Sequence, residues 1–239
     1  MSVGIELTFV YSLLFTIISN MTSSSVPHSI REIYDTLQTE LVWIHGRWKM
    51  YRQLFGTNSL RIDLLNESAG TFFYQLQQLW ADYIVLEICR LCDPVETCGH
   101  KNLVLRQIPI LLDRQDHADL IKQLSELQNL LDATIEPLRD RRNKKIAHND
   151  LGCSLDSNDT AIPGVSRAMI EDCLRLLRQY MNLTGRHFGE SEMAYEHFAM
   201  PSDGDLLLYR LKLASEMNSM IENDSALRSR IDQGRWKNV

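Results

Sequence analysis

The sequence predicts an all-α fold, a helical bundle with additional helices toward its N- and C-terminal ends. Three observations carry this. Apolar residues recur at spacings of three and four along most of the 239 residues, the period of helices that bury one face. No stretch keeps the two-residue alternation that marks half-buried strands. Pro, Gly and Asp/Asn/Ser clusters fall between the apolar stripes, where turns belong.

The first helix spans about 29–55. Ser29 with Glu32 has the form of a capping box, and Ile30, Ile33, Leu37, Leu41, Ile44, Trp48 and Tyr51 make the stripe. It stops near Phe55-Gly56, because glycine accepts the conformation that closes a helix. A short helix follows at 59–66. The second long helix covers about 69–91, AGTFFYQLQQLWADYIVLEICRL, with a broad apolar face from Phe73 to Ile88. Asp93-Pro94 ends it, since proline cannot continue the hydrogen-bond ladder and restricts the residue before it.

Residues 93–101 read as a loop and 102–113 as a short helix despite Pro109. The third long helix covers about 117–146, interrupted or kinked at Pro137. NDLGCSLDSNDTAIPGV at 149–165 is a loop by composition. A fourth helix covers 166–184, an irregular stretch 185–202, and a last helix 203–223.

Residues 29–239 are expected to form one helical domain with a C-terminal helical extension, because no central linker is long and polar enough to divide them. Residues 1–28 are expected to be an N-terminal extension. Its apolar run FVYSLLFTII at 9–18 follows a stretch without Lys or Arg. It is too short to cross a bilayer. Three readings stay open for it: an upstream-start artefact, a helix packed on the body or a partner, or a weak targeting or membrane element. No stable membrane association is expected.

Composition narrows the function. The hydrophobic fraction is 44% and the charged fraction 23%, ordinary for a soluble globular chain. A net charge of -6 argues against a protein that coats nucleic acid, which needs a whole basic face. One local basic site remains compatible with it. The five cysteines, Cys89, Cys92, Cys98, Cys153 and Cys173, are odd in number and unevenly spaced. They read as free thiols of a reducing cytoplasm rather than a disulfide framework.

The positive charge gathers in RDRRNKKIAHND at 139–150. Cations at a helix C-terminus complement the helix dipole, and His148 can cap the last carbonyls there. A chemical reading exists beside this one. Arginine offers a bidentate, permanent charge for a phosphate, and histidine exchanges a proton near neutral pH. Together with a small polar group they suffice for metal-free RNA cleavage, the 2′-hydroxyl attacking its neighbouring phosphate. Spacing complicates the picture. In an ideal helix, six positions turn the chain by ~240° and raise it by ~9 Å, so Arg142 and His148 do not share a face. Either the helix end is distorted, or the groups converge across a dimer. A monomer with Arg142 buried in an internal ion pair would count against this site both as an enzyme's and as a non-catalytic dimer's.

RRNKKIAH at 141–148 resembles the Arg-polar-x-His signature of the HEPN superfamily. With WKMYRQLFG at 48–56 and FFYQLQQLWADYIVLEICRLCDP at 72–94, the chain resembles the AbiU2-like branch over about 30–185. The resemblance implies a four- to five-helix bundle that dimerises. It implies a metal-independent endoribonuclease of toxin–antitoxin or abortive-infection systems, with RNA as substrate, a second copy and an antitoxin protein as partners, and no cofactor. Some members bind or scaffold without catalysis. Arg142 takes the place of the motif arginine, Asn143 of the polar residue and His148 of the histidine. Arg141 also fits the spacing, so the register is shared between the two arginines. Arg141, Lys144 and Lys145 would support the phosphate.

Arg90-Leu91 followed by Asp93-Pro94 matches an AbiU2-like pattern. Glu87, Arg90 and Asp93 read either as a salt bridge and a turn, or as groups of which Glu87 or Arg90 lines the cleft. Cys89-x2-Cys92 with Cys98-x-His100 invites a zinc site. No second cysteine pair follows, and packing explains the first; no metal is expected. Trp43, Trp48, Phe72, Phe73 and Trp80 fit a core or a dimer surface better than base stacking. His45, His117, His187 and His197 show no constellation, and YEHFAM at 195–200 packs over the bundle or faces a partner. No phosphate loop, Ser-His-acid set or HExxH pattern is present.

Overall fold

The helices begin and end where local chemistry leaves them no alternative. A computed structural model describes residues 25–147 and 164–224, with Ala226 and Ser229 beyond them. Helix α1 is His28–Phe55. It starts on the Pro27 carbonyl, which accepts from Ile30 and Arg31 N–H at 3.1 and 3.0 Å. Ser29 therefore lies inside the first turn and does not cap it. Asn58 opens helix α2, Ser59–Leu91, by accepting from Arg61 N–H at 3.1 Å. The backbone of α2 breaks at Ala69 (φ -165°, ψ 65°), between the two helices the sequence predicts.

The loop after α2 is more ordered than its composition suggests. Strands β1, Glu96–Thr97, and β2, His100–Lys101, pair antiparallel. Cys98 and Gly99 between them both take positive φ, 51° and 81°, as a tight right-twisted hairpin turn requires. Two-residue strands carry no alternation, so periodicity could not find them.

Helix α3, Gln107–Leu111, is shorter than the 102–113 expected. Pro109 falls in its first turn, where a missing N–H leaves no intrahelical bond unmade. Helix α4, Ala118–Arg141, runs through Pro137 without interruption. It passes directly into a wide π-helical turn, Arg142–Ile146, closed by Ala147 N–H on the Arg142 carbonyl at 2.7 Å. Helix α5 is Arg167–His187, capped by Ser166, whose hydroxyl accepts from Met169 N–H at 3.2 Å. It outlasts the expected end at 184 because its stop is Gly189 (φ 80°) rather than Gly185. Glu190 N–H reaches the Gly185 carbonyl (2.9 Å) and Gly189 N–H the Arg186 carbonyl (3.0 Å), the paired bonds of a glycine-terminated helix. Gly185 has a different reason: a Cβ there would lie 2.5 Å from the Tyr34 hydroxyl. A short 3-10 turn, Tyr195–His197, precedes helix α6, Gly204–Asn223.

The chain forms two compact units. One comprises Val85–Phe198 with the described part of Met1–His45. Its core joins Ile30, Leu37 and Leu41 of α1, Ile88 of α2, Leu124 and Leu131 of α4 and Leu174 and Leu177 of α5, all buried. Each such side chain contributes about 1.5–3 kcal/mol by leaving water. The Tyr195 turn closes over α1, with Phe198 edge-on to Trp43 at 5.8 Å and Glu196 paired to Arg178 at 3.4 Å. The other unit comprises Gly46–Ile84 and the described part of Ala199–Val239. Leu54, Leu65, Phe73 and Leu208 form its core. Gln53 fastens α6 there, donating to Asp203 at 2.7 Å and Asp205 at 2.8 Å. The outward face of α6 carries exposed Tyr209, Leu213, Met217 and Met220.

No helix among the described residues is long and apolar enough to cross a membrane. The apolar run at 9–18 lies outside them.

Candidate functional site

Helix α2 ends at Leu91, leaving its last carbonyls without intrahelical donors. The basic run at the end of α4 meets that end. Arg139, one turn before the π-helical turn, donates from Nη2 to the Cys92 carbonyl at 2.8 Å. The same nitrogen lies 3.2 Å from Asp132 Oδ1, and Asp132 also holds Arg106 at 2.5 Å. This clamp binds α4 to the end of α2 through a cation on a helix C-terminus.

Arg142, three residues on, does the same one position further along. Its Nη1 donates to Asp93 Oδ1 at 2.6 Å, the two side chains being 19% and 23% exposed. Its Nε donates to Asn143 Oδ1 at 3.1 Å. Two sides of the guanidinium are thus engaged by oxygen acceptors, which fixes its plane. The pair is partly solvated rather than buried, so the internal ion pair that would count against a working Arg142 is present only in part. Asp93, two residues beyond the end of α2, thus pairs with Arg142 of the basic run.

The rest of the run divides by exposure. Asn143, Lys144 and Lys145 are exposed, and Arg141 is half-buried. Lys144 lies 3.7 Å from Asp140, a surface pair that contributes little. His148 and Asn149 lie outside the described residues. The π-helical turn ends at Ile146, two positions before His148 in the sequence. The winding therefore departs from that of an α-helix at Arg142 itself. Such wide turns are uncommon and recur at functional sites.

Glu87 and Arg90, the supporting residues expected from α2, part company. Glu87 is 3% exposed and partnered; Arg90 is exposed. The residues that sequence reasoning missed are Arg139 as the clamp on the Cys92 carbonyl and Asp93 as the holder of Arg142. The Asp93-Pro94 step was the only local signal for the second, and it did not name the partner.

The cysteines of the zinc alternative divide by exposure. Cys89, Cys92 and Cys173 are fully buried free thiols, and Cys98 is exposed on the hairpin turn. Burial pushes the Cys89 thiol up to about 11 and Cys173 to about 12, which keeps both protonated and unreactive. Among the described residues no group of three or more His, Cys, Asp or Glu side chains gathers as a metal site. Cys153 lies outside them. Trp48 and Phe73 are buried, while Phe72 is exposed. His117 and His187, far apart in sequence, meet with Nδ1 and Nε2 at 3.0 Å, a pairing no local spacing announces.

No curated protein and no solved structure matches the chain. A protein-family model described as AbiU2 matches residues 28–206. The matched segment runs from the start of α1 into α6 and takes in both the RLCDP end of α2 and the basic turn that closes on it. The chain belongs to the HEPN AbiU2 family.

Proposed function

We propose that the protein is a metal-independent endoribonuclease that acts through Arg142, Asn143 and His148 at a cleft between two copies of the chain. One observation carries the reading. Within a HEPN AbiU2 segment, the helix winding changes at Arg142 itself, and that arginine is held in place while still partly open to solvent. The guanidinium neutralises the charge that develops on a phosphodiester. The 2′-oxygen forms a bond to phosphorus as the bond to the 5′-oxygen breaks. His148 moves a proton between the attacking hydroxyl and the leaving oxygen. The products are a 2′,3′-cyclic phosphate and a 5′-hydroxyl. Arg141, Lys144 and Lys145 supply local positive charge to a chain that is otherwise acidic, and the second copy doubles it. A cytoplasmic role as a toxin or phage-defence effector, restrained by an antitoxin protein, fits the family.

The test compares RNA cleavage in EDTA by the wild type, Arg142→Ala and His148→Ala. Each variant is expected to lose roughly 100-fold or more in rate. Equal cleavage by all three would sink the assignment.

The Asp93–Arg142 ion pair favours a second reading, a non-catalytic dimeric RNA-binding or scaffold protein, because the carboxylate offsets the charge a phosphate would meet. That reading expects RNA bound and recovered intact.

A further inference from the structure

We infer that Asp93 is the positioning residue for the Arg142 guanidinium, an inference that rests on the ribonuclease reading above. A guanidinium has five N–H donors in one plane. Left to itself on a long side chain, it would sample many orientations, and its charge would be spread over them. Here the Asp93 carboxylate takes Nη1 at 2.6 Å and the Asn143 amide oxygen takes Nε at 3.1 Å. Two acceptors on two different sides of one plane leave the rotation about the Cδ–Nε axis fixed. The donors that remain are then presented in one direction, as a phosphate in the transition state requires.

Asp93 is itself held. It follows Cys92, whose carbonyl is clamped by Arg139 at 2.8 Å, and precedes Pro94, which restricts its backbone. Arg139 and Arg142 therefore grip consecutive residues of one short segment. Arg139 sets where the segment sits, and Asp93 sets how Arg142 points. The RLCDP end of α2 acts on the chemistry through the arginine without touching the substrate.

A positioning role and a charge role pull in opposite directions, which makes the idea testable. Removing the carboxylate adds one net positive charge beside Arg142, so RNA binding holds or tightens. Freeing the guanidinium degrades its alignment, so turnover falls. The experiment measures single-turnover cleavage and RNA binding by fluorescence anisotropy for wild type, Asp93→Asn, Asp93→Glu, Arg142→Lys and the Asp93→Asn/Arg142→Lys pair, in EDTA. For Asp93→Asn the rate at saturating protein is expected to drop roughly 10- to 100-fold, with the dissociation constant unchanged or lowered. Asp93→Glu keeps the charge and recovers part of the rate. The double variant is expected to be no slower than Arg142→Lys alone, because residues acting through one group are not additive.

A merely structural Asp93 gives another pattern. Asp93→Asn would then lower the melting temperature and weaken binding and rate together, and the double variant would be slower than either single one. That outcome, or full activity of Asp93→Asn, overturns the assignment while leaving the ribonuclease reading intact. Absence of cleavage by the wild type overturns the ribonuclease reading, and the positioning role falls with it.

Discussion

His45 of α1 is 4% exposed beneath the Tyr195 turn, its ring 5.8 Å from that of Tyr195. Burial, with Arg178 adding to it, pushes its pKa down to about 4, against smaller upward effects of Glu196 and a backbone hydrogen bond to Leu174. An unfolded histidine titrates at about 6.5. Between those two values the unfolded chain holds a proton that the folded chain refuses. The resulting stabilisation is therefore whole above pH 6.5, shrinks as pH falls through that value, and levels off below about 4. The full swing is on the order of 3 kcal/mol. Urea midpoints at pH 7.5, 5.5 and 4.5 are expected to fall steeply for the wild type and less for His45→Phe. Parallel pH dependence in the two would show that His45 is not the titrating group. The same scale shows what one sequence conceals. Arg142 and Asn143 are readable as neighbours, but Asp93 is separated from Arg142 by 49 positions. Nothing in spacing or composition pairs the turn after α2 with the end of α4, because the register between elements is set by packing and not by local period.

At the scale of the element, the end of α2 depends on a donor from another helix. Arg139→Ala would strip the Cys92 carbonyl of that donor and Asp132 of one of its two arginines. The expected cost is about 1–3 kcal/mol, as for other half-buried charged hydrogen bonds. Arg139→Lys should recover only part, since an ammonium cannot reproduce a planar fork. Urea denaturation of the two variants checks this, and a change within about 0.5 kcal/mol for Arg139→Ala would remove the clamp from the account. Helix ends were legible where punctuation is intrinsic. Pro94, Ser166 and Asp203 each impose a stop or a cap by their own chemistry, and the helices begin or end beside them. The kink at Ala69 fell where the two predicted helices abut. The spacing of Arg142 and His148 left a distorted helix end as one of two readings; the winding does change at Arg142, while His148 lies outside the described residues. Pro137 misled, since the helix accepts it without interruption.

For the whole molecule, the governing quantity is the contrast between a net charge of -6 and a few cations at one helix end. Composition made that contrast readable at once, and the structure narrows it. Of the basic run, Arg139 and Arg142 are turned to Cys92 and Asp93, and Lys144 lies near Asp140. Few full positive charges therefore face a ligand from any one chain. Binding to phosphates releases condensed counterions in proportion to the number neutralised, with a slope of about -0.7 per phosphate for single strands. A general nucleic-acid-binding surface engages many phosphates and loses affinity steeply with salt. Here about three phosphates per site is a generous count, which gives a slope near -2 in a plot of log affinity against log salt. Lys144→Glu with Lys145→Glu should lower that slope by about one and weaken binding alike for every sequence, since phosphate contacts carry no base information. Fluorescence anisotropy with a short single-stranded RNA across a potassium chloride series measures both. A steep slope, near that of proteins with extended basic faces, would move the binding surface away from Arg142 and its neighbours. A shallow slope that the two substitutions leave unchanged would do the same. A shallow slope that they reduce keeps RNA at this turn, where a chain of net charge -6 meets a polyanion through a small group of charges.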